Sequence, residues 1–270
     1  MLRRENSLYH VMYGDRDLLL LRYLAGRSGN RLIATFHGPL AVPAASLEWL
    51  PGTLDAAILV SEYQRSYFEA LLPADRIFVV RHGVDSEFFH TGAGVAVDRT
   101  CITVGSHLRD FTTLTRTVEH VWRRDPAVRF VFAGLESESV LGALAHDERV
   151  RVLGRVSDAD LRAAYQAAGV ALFAYQDATA SNSLLEAMAC GLPVVTTDVG
   201  GVGEYVDSNA ACLCPPGDAG CMADHVVALL ADPERARRMG RASRARAVEH
   251  DYRLMAAEVR EVYARVLEPL

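Results

Sequence analysis

The chain has 270 residues, half of them hydrophobic and 23% charged, with a formal net charge of −6. That length makes one large or two small domains with an ample core, and the acidic balance excludes a general attraction to nucleic acid or to anionic lipid. No run reads as a transmembrane segment, since the leucine cluster at 18–21 is short and bracketed by Arg16, Asp17 and Arg22; the opening Met-Leu-Arg-Arg-Glu-Asn leads into no signal-peptide core, so the cytoplasm is the expected location.

Strand-like and helix-like segments alternate along the chain, the pattern of parallel sheets wrapped by helices. Residues 8–13, 31–36, 56–60 and 77–80 read as strands of a first domain, with helices at 15–25 and 62–72. Residues 91–99, with Gly92, Gly94 and no periodicity, read as a linker. Beyond it, 101–104, 129–133, 149–153, 170–174, 193–196 and 211–213 read as six more strands. Phe111, Leu114, Val118 and Trp122 fall on one face of a helix, and Ser157-Asp158-Ala159-Asp160-Leu161 opens another. From Asp218 helix runs to the end, broken near Asp232-Pro233 and His250-Asp251. The expected division is a Rossmann-like domain at 1–95 and a nearly complete second one at 100–270 with C-terminal helices. The first is short, about 90 residues where an α/β domain takes on the order of 100–150.

The chemistry concentrates at 177–204. A polar turn leads into a short helix, which feeds an apolar strand ending at Gly200-Gly201. Ser181 or Asn182 can cap that helix, leaving first-turn N–H groups, those of Ser183 and Leu184, to face an anion that the helix dipole favours. A diphosphate suits such a terminus. Glu186, one turn on, is an acceptor with the reach to hold hydroxyls, so the two features together suggest a sugar nucleotide. Upstream, Val104-Gly105-Ser106-His107-Leu108-Arg109 follows a strand and precedes a helix, as a phosphate-contacting loop does, and Arg109 can grip phosphate oxygens in pairs. His37 ends a strand, where open α/β sheets place ligands.

Two Asp-x-Asp strings, Asp15-Arg16-Asp17 and Asp158-Ala159-Asp160, each open an expected helix, where acidic residues stabilise the dipole; both read as structural, and no metal is assigned. Cys212, Cys214 and Cys221, with His225 a turn later, have an unfamiliar spacing for structural zinc and read as ordinary thiols.

Glu186-Ala187-Met188-Ala189-Cys190-Gly191-Leu192-Pro193-Val194-Val195, continued by Asp198-Val199-Gly200-Gly201 and Glu204, resembles the signature of family 4 (group 1) retaining glycosyltransferases of the GT-B fold. The family pattern carries a second glutamate eight positions earlier; here that place is Ala178, with Asp177 beside it. The family's arginine just after the loop glycine is Ser106 here, and its lysine is matched by Arg109 in a chain whose 28 basic residues are all arginine.

The resemblance implies transfer of a sugar from a nucleotide-diphosphate donor to an acceptor hydroxyl, metal-independent and with no cofactor beyond the donor substrate. Its alternative is a catalytically impaired nucleotide-sugar-binding subunit that partners another transferase. The implied catalytic residues are Arg109, His37 and Glu186, with Glu186 holding ribose hydroxyls and His37 facing the donor sugar. The implied donor-binding set adds Gly105, Ser106, Arg155, Val156, Thr179, Ser181, Asn182, Ser183 and Leu184. Thr35-Phe36-His37-Gly38 matches the middle of the family's first domain rather than its start, so opening strands are missing and a bare sheet edge is expected. Self-association, a companion chain completing the first domain, or a true start lying upstream follows as an expectation.

Overall fold

The computed structural model describes residues 7–17, 29–39, 52–92, 99–135 and 137–268. The chain divides into two compact units, Met1–Gly83 with Tyr252–Leu270, and Val84–Asp251. Each is an α/β unit on an all-parallel sheet, and the first is the smaller, with four strands against six.

In unit 1, β1 (Leu8–Val11), β2 (Arg31–Phe36), β3 (Ala56–Leu59) and β4 (Ile77–Val79) lie side by side in chain order. Side chains alternate across a strand. Leu32, Ala34 and Phe36 therefore share one face with Phe68 of α1 (Arg65–Glu69), while Ile33 and Ile58 share the other with Val262. The helix expected at 62–72 begins as a 3-10 turn at Glu62–Gln64 before becoming α1. Of the helix expected at 15–25, residues from 18 lie outside the described residues, as do 93–98 of the expected linker.

Unit 2 holds β5 (Thr100–Val104), β6 (Arg129–Ala133), β7 (Val150–Leu153), β8 (Val170–Phe173), β9 (Val194–Thr197) and β10 (Ala211–Cys214), in the order β10-β9-β8-β5-β6-β7. Its helices are α2 (Phe111–Arg124), α3 (Asp158–Ala167), α4 (Asn182–Ala189), α5 (Val202–Tyr205), α6 (Ala219–Ala231) and α7 (Pro233–Val248). Leu114 and Val118 of α2 join Met222 and Val226 of α6 in one core; Tyr165 of α3 joins Leu184, Leu185 and Met188 of α4 in another. The last helix, α8 (Tyr252–Leu267), belongs to unit 1.

That division differs from the single break expected between 95 and 100. Met255, Val259, Val262 and Val266 form a stripe at spacings of four and three, and it covers the second face of β2 and β3. Periodicity announces such a stripe without naming the sheet it will cover. Among the described residues no helix is long and apolar enough to cross a membrane.

Candidate functional site

The strand order of unit 2 reverses between β5 and β8, and open α/β sheets bind ligands outside the carboxyl ends of the strands at such a switch point. The loops leaving these two strands are zipped together. Arg109 and Tyr175 form an antiparallel bridge, the Asp110 amide donates to the Ala174 carbonyl at 2.9 Å, and the Gln176 amide donates to Leu108 at 2.9 Å. Gly105 turns the chain out of β5 at φ +82, a conformation that glycine adopts without a side-chain clash. Leu108, at φ 53, is the one other residue type in the left-handed region among the described residues, so the loop that presents Arg109 is held in a costly shape.

Arg109 does not lie out in solvent; it is 8% exposed. Its Nε and Nη2 donate to the Val104 carbonyl at 3.2 and 2.8 Å, and Nη2 also donates to Ser183 Oγ at 2.6 Å. The guanidinium carbon sits 4.2 Å from the centre of the Tyr175 ring. Ser183 Oγ is 3.1 Å from Ser181 Oγ, which accepts from the Tyr175 hydroxyl at 2.8 Å. Of the two cap candidates, Ser181 caps α4: its hydroxyl accepts from the Leu184 amide at 3.4 Å. The bond from the Leu185 amide to the Ser181 carbonyl, 3.1 Å, opens the helical ladder, so the amides of Asn182 and Ser183 precede it. The Leu184 amide, expected to face an anion, also reaches the Ser181 hydroxyl of the cap.

Glu186 follows one turn later and is half-buried. Its Oε2 accepts from the Tyr165 hydroxyl at 3.1 Å, and that hydroxyl lies 3.1 Å from the Ser183 carbonyl. Burial pushes the Glu186 carboxyl above the usual carboxylate range; the Tyr165 bond opposes the rise and Asp158 adds to it. Across the turn, Gly200 has φ +52, and a Cβ there would stand 2.1 Å from the Ala178 carbonyl. The Gly201 amide donates to that same carbonyl at 2.8 Å. Ala178, where the family pattern has glutamate, is buried, and the Asp177 carboxylate accepts from its amide at 2.8 Å.

The structure thus brings Arg109, Ser181, Ser183 and Glu186 into one bonded group. Ser106 stands in the β5 loop, its carbonyl accepting from the Arg109 amide at 3.2 Å, and Thr179 is buried in the β8 loop. Arg155 is exposed and Val156 half-buried, both in the turn after β7. His37 belongs to unit 1. It follows β2, its ring 5.0 Å from the Tyr13 ring and 5.8 Å from that of His82. Burial holds both imidazoles below the ordinary histidine value, His82 at about 4.

Asp15 lies in a turn, and its carboxylate accepts from the amides of His37 and Gly38 at 2.5 and 3.1 Å, so it braces the end of β2; most of the helix expected from 15 lies outside the described residues. One reading of the sequence is corrected. Cys214 and Cys221 are not ordinary thiols: they form a disulfide joining β10 to α6. Their sulfurs and a His225 nitrogen lie within 4.8 Å of one another. Tyr165 and Tyr175 escaped sequence reasoning, because a tyrosine on an apolar face reads as core, and only the fold shows where its hydroxyl ends.

Residues 98–232, half of the chain, match the model of the family Glycosyl transferases group 1. A glycogen synthase of Mycobacterium tuberculosis is 32% identical over 131 residues, 48% of this chain and 29% of that protein. A GDP-mannose-dependent alpha-(1-6)-phosphatidylinositol monomannoside mannosyltransferase of Mycolicibacterium smegmatis is 29% identical over 295 positions, 96% of this chain and 77% of the relative. Among solved structures, Anabaena Alr3699/HepE in complex with UDP-glucose is similar at TM-score 0.82 and 18% identity, over 95% of this chain and 78% of that one. The last likeness concerns the fold alone. The chain spans less than a third of the length of the first relative, the glycogen synthase.

Proposed function

The chain belongs to the group 1 glycosyl transferases, and from that premise we propose that it moves a sugar from a nucleotide-diphosphate donor to an acceptor hydroxyl with retention of configuration. The observation that carries this reading is Arg109. It is a buried cation whose partners are carbonyls, a hydroxyl and an aromatic face, with no ion pair among the described residues. It is tied to the first turn of α4, where the helix dipole adds positive potential. Two positive features held together in a place of low dielectric cost free energy until an anion arrives, and a diphosphate supplies that anion.

In this reading unit 2 binds the donor. Gly105, Ser106, Thr179, Ser181, Asn182, Ser183 and Leu184 surround the diphosphate, Arg155 and Val156 lie at the base, and Glu186 accepts from the ribose hydroxyls. His37, in the acceptor-side unit, contacts a sugar hydroxyl. The anomeric carbon develops oxocarbenium character as the diphosphate leaves, and the fixed charge of Arg109 and the α4 amides meets the charge that develops on it. One matched protein holds UDP-glucose and another is named for GDP-mannose, so both bases enter the test. The reading also places the protein in the cytoplasm, with a second copy or companion chain against the small first unit.

A second reading has its own observation. Ala178 stands where the family has a glutamate, so the fold can retain a donor pocket without turnover and serve as a subunit of a true transferase. Calorimetric titration with UDP- and GDP-sugars, followed by assays of donor hydrolysis and transfer, separates the two. Turnover supports the first reading, and donor binding without it supports the second. Arg109→Ala should cut turnover by about 100-fold or more in a protein that still melts cooperatively; near-normal turnover would count against its role.

A further inference from the structure

Tyr165 is fully buried on α3, and a buried phenol places its O–H on a partner. Here the one proton faces two groups of α4, the Ser183 carbonyl and Glu186 Oε2, each at 3.1 Å. The ring itself packs in the core, edge-on to Phe89 at 6.2 Å, which a phenylalanine would do equally well. The hydroxyl is therefore what distinguishes this residue. We propose that Tyr165 is a positioning residue for the donor: its hydroxyl holds the Glu186 carboxylate in place as acceptor for the ribose hydroxyls, so it supports ribose recognition without touching the ligand. This rests on the reading of Glu186 given above.

The electrostatics point the same way. Burial and Asp158, at the start of α3, favour a protonated Glu186, which would donate where acceptance is needed, and the Tyr165 bond opposes them. Just after α4 the Cys190 thiol is pushed up to about 12 by burial and by Glu186 and stays neutral, with Arg244 of α7 and Arg162 of α3 opposing the rise.

The test compares UDP and GDP with their 2′,3′-dideoxy forms by calorimetry, on wild type and on Tyr165→Phe with its melting checked. Tyr165→Phe should weaken the ribonucleotide by about tenfold, the loss of one hydrogen bond to a charged group, more at pH 6 than at pH 8. It should leave the dideoxy nucleotide within about twofold. In a Glu186→Gln background the same substitution should have no further effect. No binding by wild type overturns the donor-site reading and this inference with it. Binding by wild type, with Tyr165→Phe harmless or weakening ribo and dideoxy forms equally, overturns the role of Tyr165 alone.

Discussion

Three histidines, His10, His37 and His82, stand in unit 1, and burial is the first cause holding each imidazole below its ordinary value. His10 bonds Tyr263 Oη through Nδ1 at 2.6 Å and Thr35 Oγ1 through Nε2 at 2.7 Å. Positive charge on His37 lowers both neighbours further, and Asp15 partly restores His37. A depressed folded-state value means that the unfolded chain takes up protons first. The stabilisation is therefore complete above pH 6.5, and for His82 it drains as pH falls toward about 4. One such group costs up to about 1.4 kcal/mol per pH unit within that window. Melting of unit 1 should fall between pH 6.5 and 5, and His82→Gln should flatten the fall; an unchanged slope in the variant would remove His82 from the explanation.

At the scale of elements, the crossing between the β8 loop and the start of α5 fixes the turn that precedes α4. Gly200 is indispensable there by two measures, its φ of +52 and the 2.1 Å approach of a Cβ to the Ala178 carbonyl. Gly200→Ala should lower stability by at least about 2 kcal/mol and weaken donor binding, because Ala178 moves and the Ser181 cap moves with it. Gly203→Ala is the matched control: its Cβ would meet Asp198 Oδ1 at an ordinary 3.8 Å within α5, so stability should hold or rise. What was legible follows from the same physics. The apolar runs at Ile33, Ile58, Leu172 and Val195 marked strands buried on both faces, and β2, β3, β8 and β9 lie where those runs stand; each of the ten strands among the described residues overlaps an expected one. The group of Arg109, Ser181, Ser183 and Glu186 was legible as a motif but not as a bonded network, since the Arg109–Ser183 contact spans 74 positions of sequence. The disulfide was missed because Cys-x6-Cys spacing says nothing of a strand end facing the first turn of the next helix.

For the whole molecule, the chain crosses its own unit boundary twice, and the last helix returns to the first sheet. Val262 of α8 is 4% exposed among Ile33, Ala56 and Ile58, with Met255, Val259 and Val266 packed beside it. Tyr263 donates or accepts through its hydroxyl at His10 on β1. The second face of β2 and β3 is thus covered through Val262, more than 200 positions from Ile33 and Ile58 in sequence, which share one core with it. Removing 252–270 should bare that face, and the parallel strands beneath it need cover on both sides. The expected result, read by hydrogen exchange with mass spectrometry, is loss of amide protection across β1 to β4 with protection in β5 to β10 retained. Val262→Asp is the milder version: an unpartnered carboxyl in that core should cost about 3 kcal/mol or more and produce the same one-sided pattern. Loss of protection in unit 2 instead, or in both units equally, would mean that α8 stabilises a body other than the first sheet and that the division at Asp251 is wrong.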